Sequence, residues 1–197
     1  MDKKISAIVL AAGLSTRMGK PKLILPWGKT TIIGQVVHVL LGAGIIDIVI
    51  VTGAYKREVE DAISQYPVRF VHNPNAISEE MTTSLQKGLE AINDDTDAIM
   101  IVLGDQPQIE LKVIEKLIDT YCQSDHKLVF PSYQQRRGHP WIVDRSLWSE
   151  ILLLSRSDTL RDFVRYHGNE INYVLVDRDS ILRDIDTPEE YSKQRPE

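Results

Sequence analysis

Apolar positions along the chain alternate between two kinds of pattern. Ile5–Ala12 is apolar at nearly every position and shows no period of two, which marks a strand buried on both faces. Thr31–Ala43 instead carries Ile32, Ile33, Val36, Val37, Val39 and Leu40 as one broad apolar face, which predicts a helix. The alternation continues with a strand at Asp47–Thr52, a helix at Tyr55–Gln65 and a strand at Val68–His72. A helix at Glu80–Ile92 follows, with Met81, Leu85, Leu89 and Ile92 at helical spacing. The series ends with a strand at Ala98–Leu103, a helix at Ile109–Tyr121 and a strand at Lys127–Pro131. This order predicts an α/β fold: a largely parallel sheet with helices on both faces.

After Pro131 the rhythm breaks. Tyr133–Val143 begins polar and turns apolar around His139-Pro140-Trp141-Ile142-Val143, the pattern of a hairpin or of a strand added at the sheet edge. Helices are expected at Ser146–Leu154 and Thr159–Tyr166, then a strand at Asn172–Val176. Pro188–Tyr191 reads as a short last helix capped by Thr187, with proline at its first position. No repeat, low-complexity stretch or flexible linker interrupts the 197 residues, and one domain is expected.

Composition narrows the function classes. The longest apolar runs are far shorter than the ~20 residues a membrane helix needs. Met1-Asp2-Lys3-Lys4 leads straight into a strand rather than a signal peptide. A single cysteine, Cys122, suits a reducing compartment and offers neither an internal disulfide nor a zinc cluster, so a cytoplasmic protein is expected. The formal charge of −5 is uneven. Six basic side chains (Lys3, Lys4, Arg17, Lys20, Lys22, Lys29) face only Asp2 within the first 30 residues, while the remainder holds 17 basic and 27 acidic side chains. An acidic body does not suit nucleic-acid backbones, and the basic segment points to a local anion site.

In open α/β sheets ligands bind beyond the carboxyl ends of strands, so the loop after the first strand is the first candidate. It runs Leu10-Ala11-Ala12-Gly13-Leu14-Ser15-Thr16-Arg17-Met18-Gly19-Lys20-Pro21-Lys22. Its slight side chains let a ring or phosphate approach the backbone, Ser15 and the backbone N–H groups suit phosphate oxygens, and Arg17 and Lys22 supply charge. Neither Gly-x-x-x-x-Gly-Lys-Ser/Thr nor Gly-x-Gly-x-x-Gly is present. On composition alone an ordinary solvated loop is the better reading. Asp105, in Leu103-Gly104-Asp105-Gln106-Pro107 after the fourth strand, suits a Mg²⁺ ligand or, equally, a turn and helix cap. Asp184-Ile185-Asp186-Thr187-Pro188 leaves the same choice open.

Taken together these segments resemble the molybdenum-cofactor nucleotidyltransferases. The resemblance runs from Leu10 to Tyr191 through five motifs in order, and it is closest to the cytidylyltransferase branch. It implies a Rossmann-like three-layer nucleotidyltransferase fold and a metal-dependent enzyme that uses Mg²⁺. Leu10, Ala11, Ala12, Gly13 and Ser15 would belong to the nucleotide site, with Ala11–Gly13 at the base and Arg17 and Lys22 on the triphosphate. Asp105 and Asp186 would bind the metal, Asp184 supporting them, and Arg17, Lys22 and Asp105 would be the catalytic set. Asn73 and Ser84 would serve the base and ribose, although Glu80 stands where the family often has glycine. Arg137-Gly138-His139-Pro140 would face a pterin substrate.

The implied reaction joins CTP to molybdopterin carrying molybdenum, with release of pyrophosphate. The guanylyltransferase branch of the resembled family typically has Ala-Gly-Gly, so Ala11-Ala12-Gly13 implies CTP rather than GTP. The product would pass to a molybdenum hydroxylase, and no nucleic acid or membrane is involved. A guanylyltransferase, a sugar- or polyol-phosphate cytidylyltransferase, a cofactor chaperone and an oxidoreductase on the same fold are the alternatives. The remaining histidines (His38, His72, His126, His167) are isolated, and Trp27, Trp141 and Trp148 read as packing residues.

Overall fold

The computed structural model describes residues 3–76, 81–155 and 158–196; Glu80 lies outside them. In chain order the elements are β1 (Ile5–Ala11), β2 (Pro26–Trp27), β3 (Thr30–Thr31), α1 (Ile32–Gly42), β4 (Ile48–Thr52), α2 (Lys56–Ala62) and β5 (Arg69–His72). They continue with α3 (Met81–Leu89), β6 (Ala98–Leu103), α4 (Leu111–Cys122), β7 (Leu128–Tyr133), β8 (Arg136–Arg137) and β9 (Trp141–Asp144). The last are α5 (Trp148–Leu153), α6 (Leu160–Tyr166), β10 (Ile171–Leu175) and α7 (Pro188–Gln194). The main sheet runs β10-β7-β9-β6-β1-β4-β5, with β8 paired to β7; β2 and β3 form a separate small hairpin.

The sheet is Rossmann-like α/β, and its two faces bury separate apolar clusters. One packs Val37 and Leu40 of α1 with Val113 and Leu117 of α4 against Ala7, Val9 and Met100. The other packs Leu85 of α3, Ile151 of α5 and Phe163 of α6 against Ile8, Val49 and Ile101. The neighbours Ile8 and Val9 thus face opposite clusters, which is why β1 shows no polar alternation. No helix among the described residues is long and apolar enough to cross a membrane.

Side chains set the starts of α1 and α7. Thr31 caps α1 by accepting from the Gly34 N–H at 3.1 Å. Thr187 accepts from the Glu190 N–H, and the Glu190 carboxylate accepts in return from the Thr187 N–H at 2.9 Å, a complete capping box at the expected place.

The segment after Pro131 departs from expectation. The hairpin is there, turning through Gln134 and Gln135 with positive φ between β7 and β8. The strand that follows is not at the sheet edge. β9 inserts antiparallel between β6 and β7, with Ile101 opposite Trp141 and Val129 opposite Ile142. Trp141, Ile142 and Val143 are all buried, so both faces and both edges of this strand are covered. An edge position would leave one row of backbone groups unpaired.

The order also fixes where a ligand can sit. β1 pairs in parallel with β4 on one side and β6 on the other. The chain winds outward through β4 and β5, then returns across β1 to β6. The loops leaving β1 and β6 therefore flank the switch point of the sheet, where the strand order opens a crevice.

Candidate active site

The loop leaving β1 is held in shape by its own residues. Ser15 takes a left-handed backbone, φ 51°, at the start of the turn Thr16–Met18, and Gly19 closes that turn at φ 64°. The Ser15 hydroxyl accepts from the Lys22 N–H at 3.2 Å and ties the two ends of the loop together. A Cβ built on Gly13 meets nothing within 4 Å, so the surrounding protein does not demand glycine there; the space is open to a ligand. Gly53, at the end of β4, is the opposite case. A Cβ there would lie 2.4 Å from the Ala12 carbonyl oxygen.

Lys22 points into the crevice and is 8% exposed. Its ammonium donates to Asp105 Oδ2 at 2.5 Å and to Asp186 Oδ1 at 2.8 Å. The other oxygen of Asp186 accepts from Arg17 at 2.6 Å. Burial alone would lower the Lys22 pKa, but the two carboxylates outweigh it and hold the lysine above its ordinary value. Burial pushes Asp186 upward, and Lys22 and Arg17 overcome that and hold it below the usual carboxylate range. Asp184 goes the other way: burial raises it, the neighbouring Asp105 and Asp186 charges add to the rise, and a 2.7 Å bond from Gln106 opposes it.

Around these charges the crevice has two compartments that share Leu10, Gly13 and Asp105. One, about 210 Å³, is polar, with Ser15, Arg17, Lys22, Asp105 and Asp186 on its wall. The other, about 370 Å³, is lined by Ala12, Ala76, Met81, Ser84 and Leu103. The first suits phosphates and the second a flat ring.

The expected base and ribose contacts are mostly engaged with each other. Asn73 is buried and donates to the Ser84 hydroxyl at 3.0 Å, and its carbonyl accepts from the Asn75 N–H at 3.1 Å. It ties the end of β5 to α3. Ser84 still lines the apolar compartment.

The Arg137–Pro140 segment is also placed differently from a row of substrate contacts. Arg137 is exposed, its guanidinium 5.9 Å from the Phe130 ring centre, whereas Gly138 and Pro140 are buried. Burial pushes His139 down to about 4 despite opposing pulls from the Ile101 carbonyl and Asp105. Its ring is neutral at neutral pH, so near the site it would act through hydrogen bonding and not through charge. Its Nδ1 is buried with no hydrogen-bond partner among the described residues.

The donor set suits a small divalent cation. Asp105 and Asp186 both face the Lys22 ammonium, so one cation already sits between their oxygens. Among the described residues no three His, Cys, Asp or Glu side chains form a ready cage. Mg²⁺ typically takes one or two carboxylates and fills its remaining positions with water and phosphate oxygens. Gly53, Gln106 and Met81 are additions that motif reading missed. A glycine ending a buried strand on the ligand side was the available signal for Gly53.

A carboxylate pair on a cation, beside a basic loop and a ring-sized cleft at the switch point, is the equipment of nucleotidyl transfer. The enzyme class is nucleotidyltransferase. The model of the MobA-like NTP transferase domain matches residues 7–171, and the chain belongs to that family. It is 26% identical over 188 residues to the molybdenum cofactor cytidylyltransferase of Escherichia coli (strain K12), covering 95% of this chain and 93% of that one. It is also 26% identical over 195 residues to the nicotine blue oxidoreductase of Paenarthrobacter nicotinovorans, covering 94% of each. Among solved structures, Rv0371c from Mycobacterium tuberculosis H37Rv superposes with a TM-score of 0.85 at 26% identity over 98% of both chains. A second structure of Rv0371c is a complex with manganese, with a TM-score of 0.79 at 25% identity and the same coverage.

The contact beneath the β1 loop makes a prediction. Gly53→Ala forces the Ala12 backbone to move, because the obstructing atoms are main chain and not a flexible side-chain end. Nucleoside triphosphate affinity is expected to fall about tenfold or more, since small displacements of a positioning loop are costly. Calorimetric titration checks it; wild-type affinity would show that the loop tolerates the shift.

Proposed function

We propose that this enzyme transfers a cytidylyl group from CTP to a molybdopterin-type acceptor, forming the cytosine dinucleotide and pyrophosphate. One observation carries the reading: Lys22, Asp105 and Asp186 meet where the phosphate-sized and ring-sized compartments join. The likeness to the Escherichia coli cytidylyltransferase supports the choice of acceptor, and the resemblance of Ala11-Ala12-Gly13 to the cytidylyltransferase branch supports CTP over GTP.

In this reading the whole chain works as one domain, since Asp186 reaches back from its far end to the β1 loop. Leu10, Ala12 and Ser84 wall the base, with Asn73 fixing Ser84, and Ala11 lines the adjoining polar compartment. Gly13 and Ser15 admit the phosphates to the backbone. Asp105 and Asp186 would hold Mg²⁺, and when bound the ion would supply charge neutralisation for the phosphates. Arg17 and Lys22 turn from the carboxylates to the triphosphate oxygens and screen two anions from each other. An acceptor phosphate oxygen attacks the α-phosphorus, the bond to the β-phosphate oxygen breaks, and no covalent enzyme intermediate is required. Arg137, exposed on β8, guides the anionic acceptor with the outer edge of His139. The product then passes to a molybdenum hydroxylase in the cytoplasm.

Pyrophosphate release with CTP or GTP and molybdopterin, or a sugar or polyol phosphate, tests this reading. Turnover is expected with CTP and molybdopterin and much less with GTP. Turnover only with a sugar or polyol phosphate, or a preference for GTP, would replace it.

A further inference from the structure

Asp186 lies on a strap, residues 181–186, whose position is set elsewhere. Ile181 and Ile185 are fully buried. At one end the Ile181 carbonyl accepts from the His139 N–H at 3.0 Å. At the other, the Ile185 N–H donates to the Asp105 carbonyl at 3.1 Å, Gln106 donates to Asp184, and the Gln108 amide donates to the Arg183 carbonyl. The strap thus spans from the turn between β8 and β9 to the loop that bears Asp105.

The contact at Gly138 admits no side chain. A Cβ there would lie 2.2 Å from the Ile181 carbonyl oxygen and 2.8 Å from both its carbonyl carbon and its Cβ. The obstruction is main chain and branch carbon, which cannot swing aside. Gly138 cannot retreat the other way, because its own N–H donates at 3.1 Å to the carbonyl of Pro131, within the buried strand β7. Glycine is needed here for the close approach of two backbones.

We infer that Gly138 and the His139 N–H are positioning groups for Asp186: they seat the strap so that its carboxylate faces that of Asp105 across a single cation. This gives Gly138, which is buried, a task that requires no touch of the acceptor. The inference rests on the carboxylate pair holding the metal, but not on the identity of the acceptor.

The test is Mn²⁺ binding to the full chain in the presence of CTP, read by electron paramagnetic resonance of the free ion, with no acceptor added. Gly138→Ala is expected to weaken Mn²⁺ binding about tenfold or more, the usual scale for losing a group that orients a ligand. Its kcat should recover as metal is raised, while the acceptor KM stays at the wild-type value. Ile181→Val removes one methyl from the strap and adds no atoms; it should weaken Mn²⁺ binding in the same direction by about threefold, on the smaller scale of one buried methyl. That variant decides the matter if Gly138→Ala does not fold. Wild-type Mn²⁺ affinity in both, or in Ile181→Val alone where Gly138→Ala is unfolded, overturns the inference. So does a raised acceptor KM with unaltered metal binding in Gly138→Ala. Failure of the wild type itself to bind Mn²⁺ would instead overturn the carboxylate-pair reading.

Discussion

Asp105→Asn is expected to lose metal-dependent turnover almost completely, on the order of 10³-fold, while the fold survives. Removing one preorganised electrostatic group typically costs 10²–10³ in rate, and here the same change also weakens the metal site. The fold should survive because the structural work at this position is done by main chain. The Asp105 carbonyl, not its carboxylate, accepts from the Ile185 N–H and holds the strap. The side chain lies at the crevice wall, and asparagine has nearly its shape. Lys22 would keep Asp186 as a partner at 2.8 Å, so no buried charge is abandoned. Pyrophosphate release and thermal melting, measured on the same preparation, separate the two effects. Wild-type-like release by this variant would sink the two-carboxylate mechanism, and a collapsed melting transition would move Asp105 from chemistry to stability.

How much of this site was legible beforehand depends on the distance over which each residue acts. The runs that became β1, β4 and β6 need only their own composition, because both faces of each are buried. The Gly-Asp after β6 and the Thr-Pro start of α7 are local signals and were found where expected. β9 could not be placed from its pattern: whether a buried apolar strand sits at an edge or in the interior depends on which neighbours have free edges. Asn73 and Ser84 illustrate a second limit. They were found by motif, yet each spends hydrogen-bonding capacity on the other, and only the packing of β5 against α3 reveals it. The Arg137–Pro140 motif shows a third. Four consecutive residues suggest one common role, whereas the backbone turns Gly138 inward and leaves Arg137 outside. The charge asymmetry of the sequence was similarly incomplete. It located the basic loop but not its partners, which lie 83 and 164 residues further along the chain.

Those partners determine what Lys22→Ala should do. Triphosphate affinity is expected to fall roughly 10- to 100-fold, the scale of one hydrogen bond to a charged group. Affinity for free cytidine should change little, because the apolar compartment that would take the base does not include Lys22. A second effect has the opposite sign. The ammonium occupies the space between Asp105 and Asp186, so a divalent cation entering without nucleotide must displace it. Removing it leaves two carboxylates facing each other with Arg17 paired to Asp186, and like charges at short range favour an incoming cation. Mn²⁺ alone should therefore bind Lys22→Ala more tightly than wild type, while the triphosphate binds more weakly. Calorimetric titration of Mn²⁺, cytidine and CTP into both proteins measures all three quantities. Equal losses for CTP and cytidine would remove Lys22 from the phosphate site. Weaker Mn²⁺ binding would show that the lysine organises the carboxylates and does not compete for them. Opposite shifts for metal and triphosphate are expected only if Lys22 exchanges one set of anions for another as the nucleotide arrives.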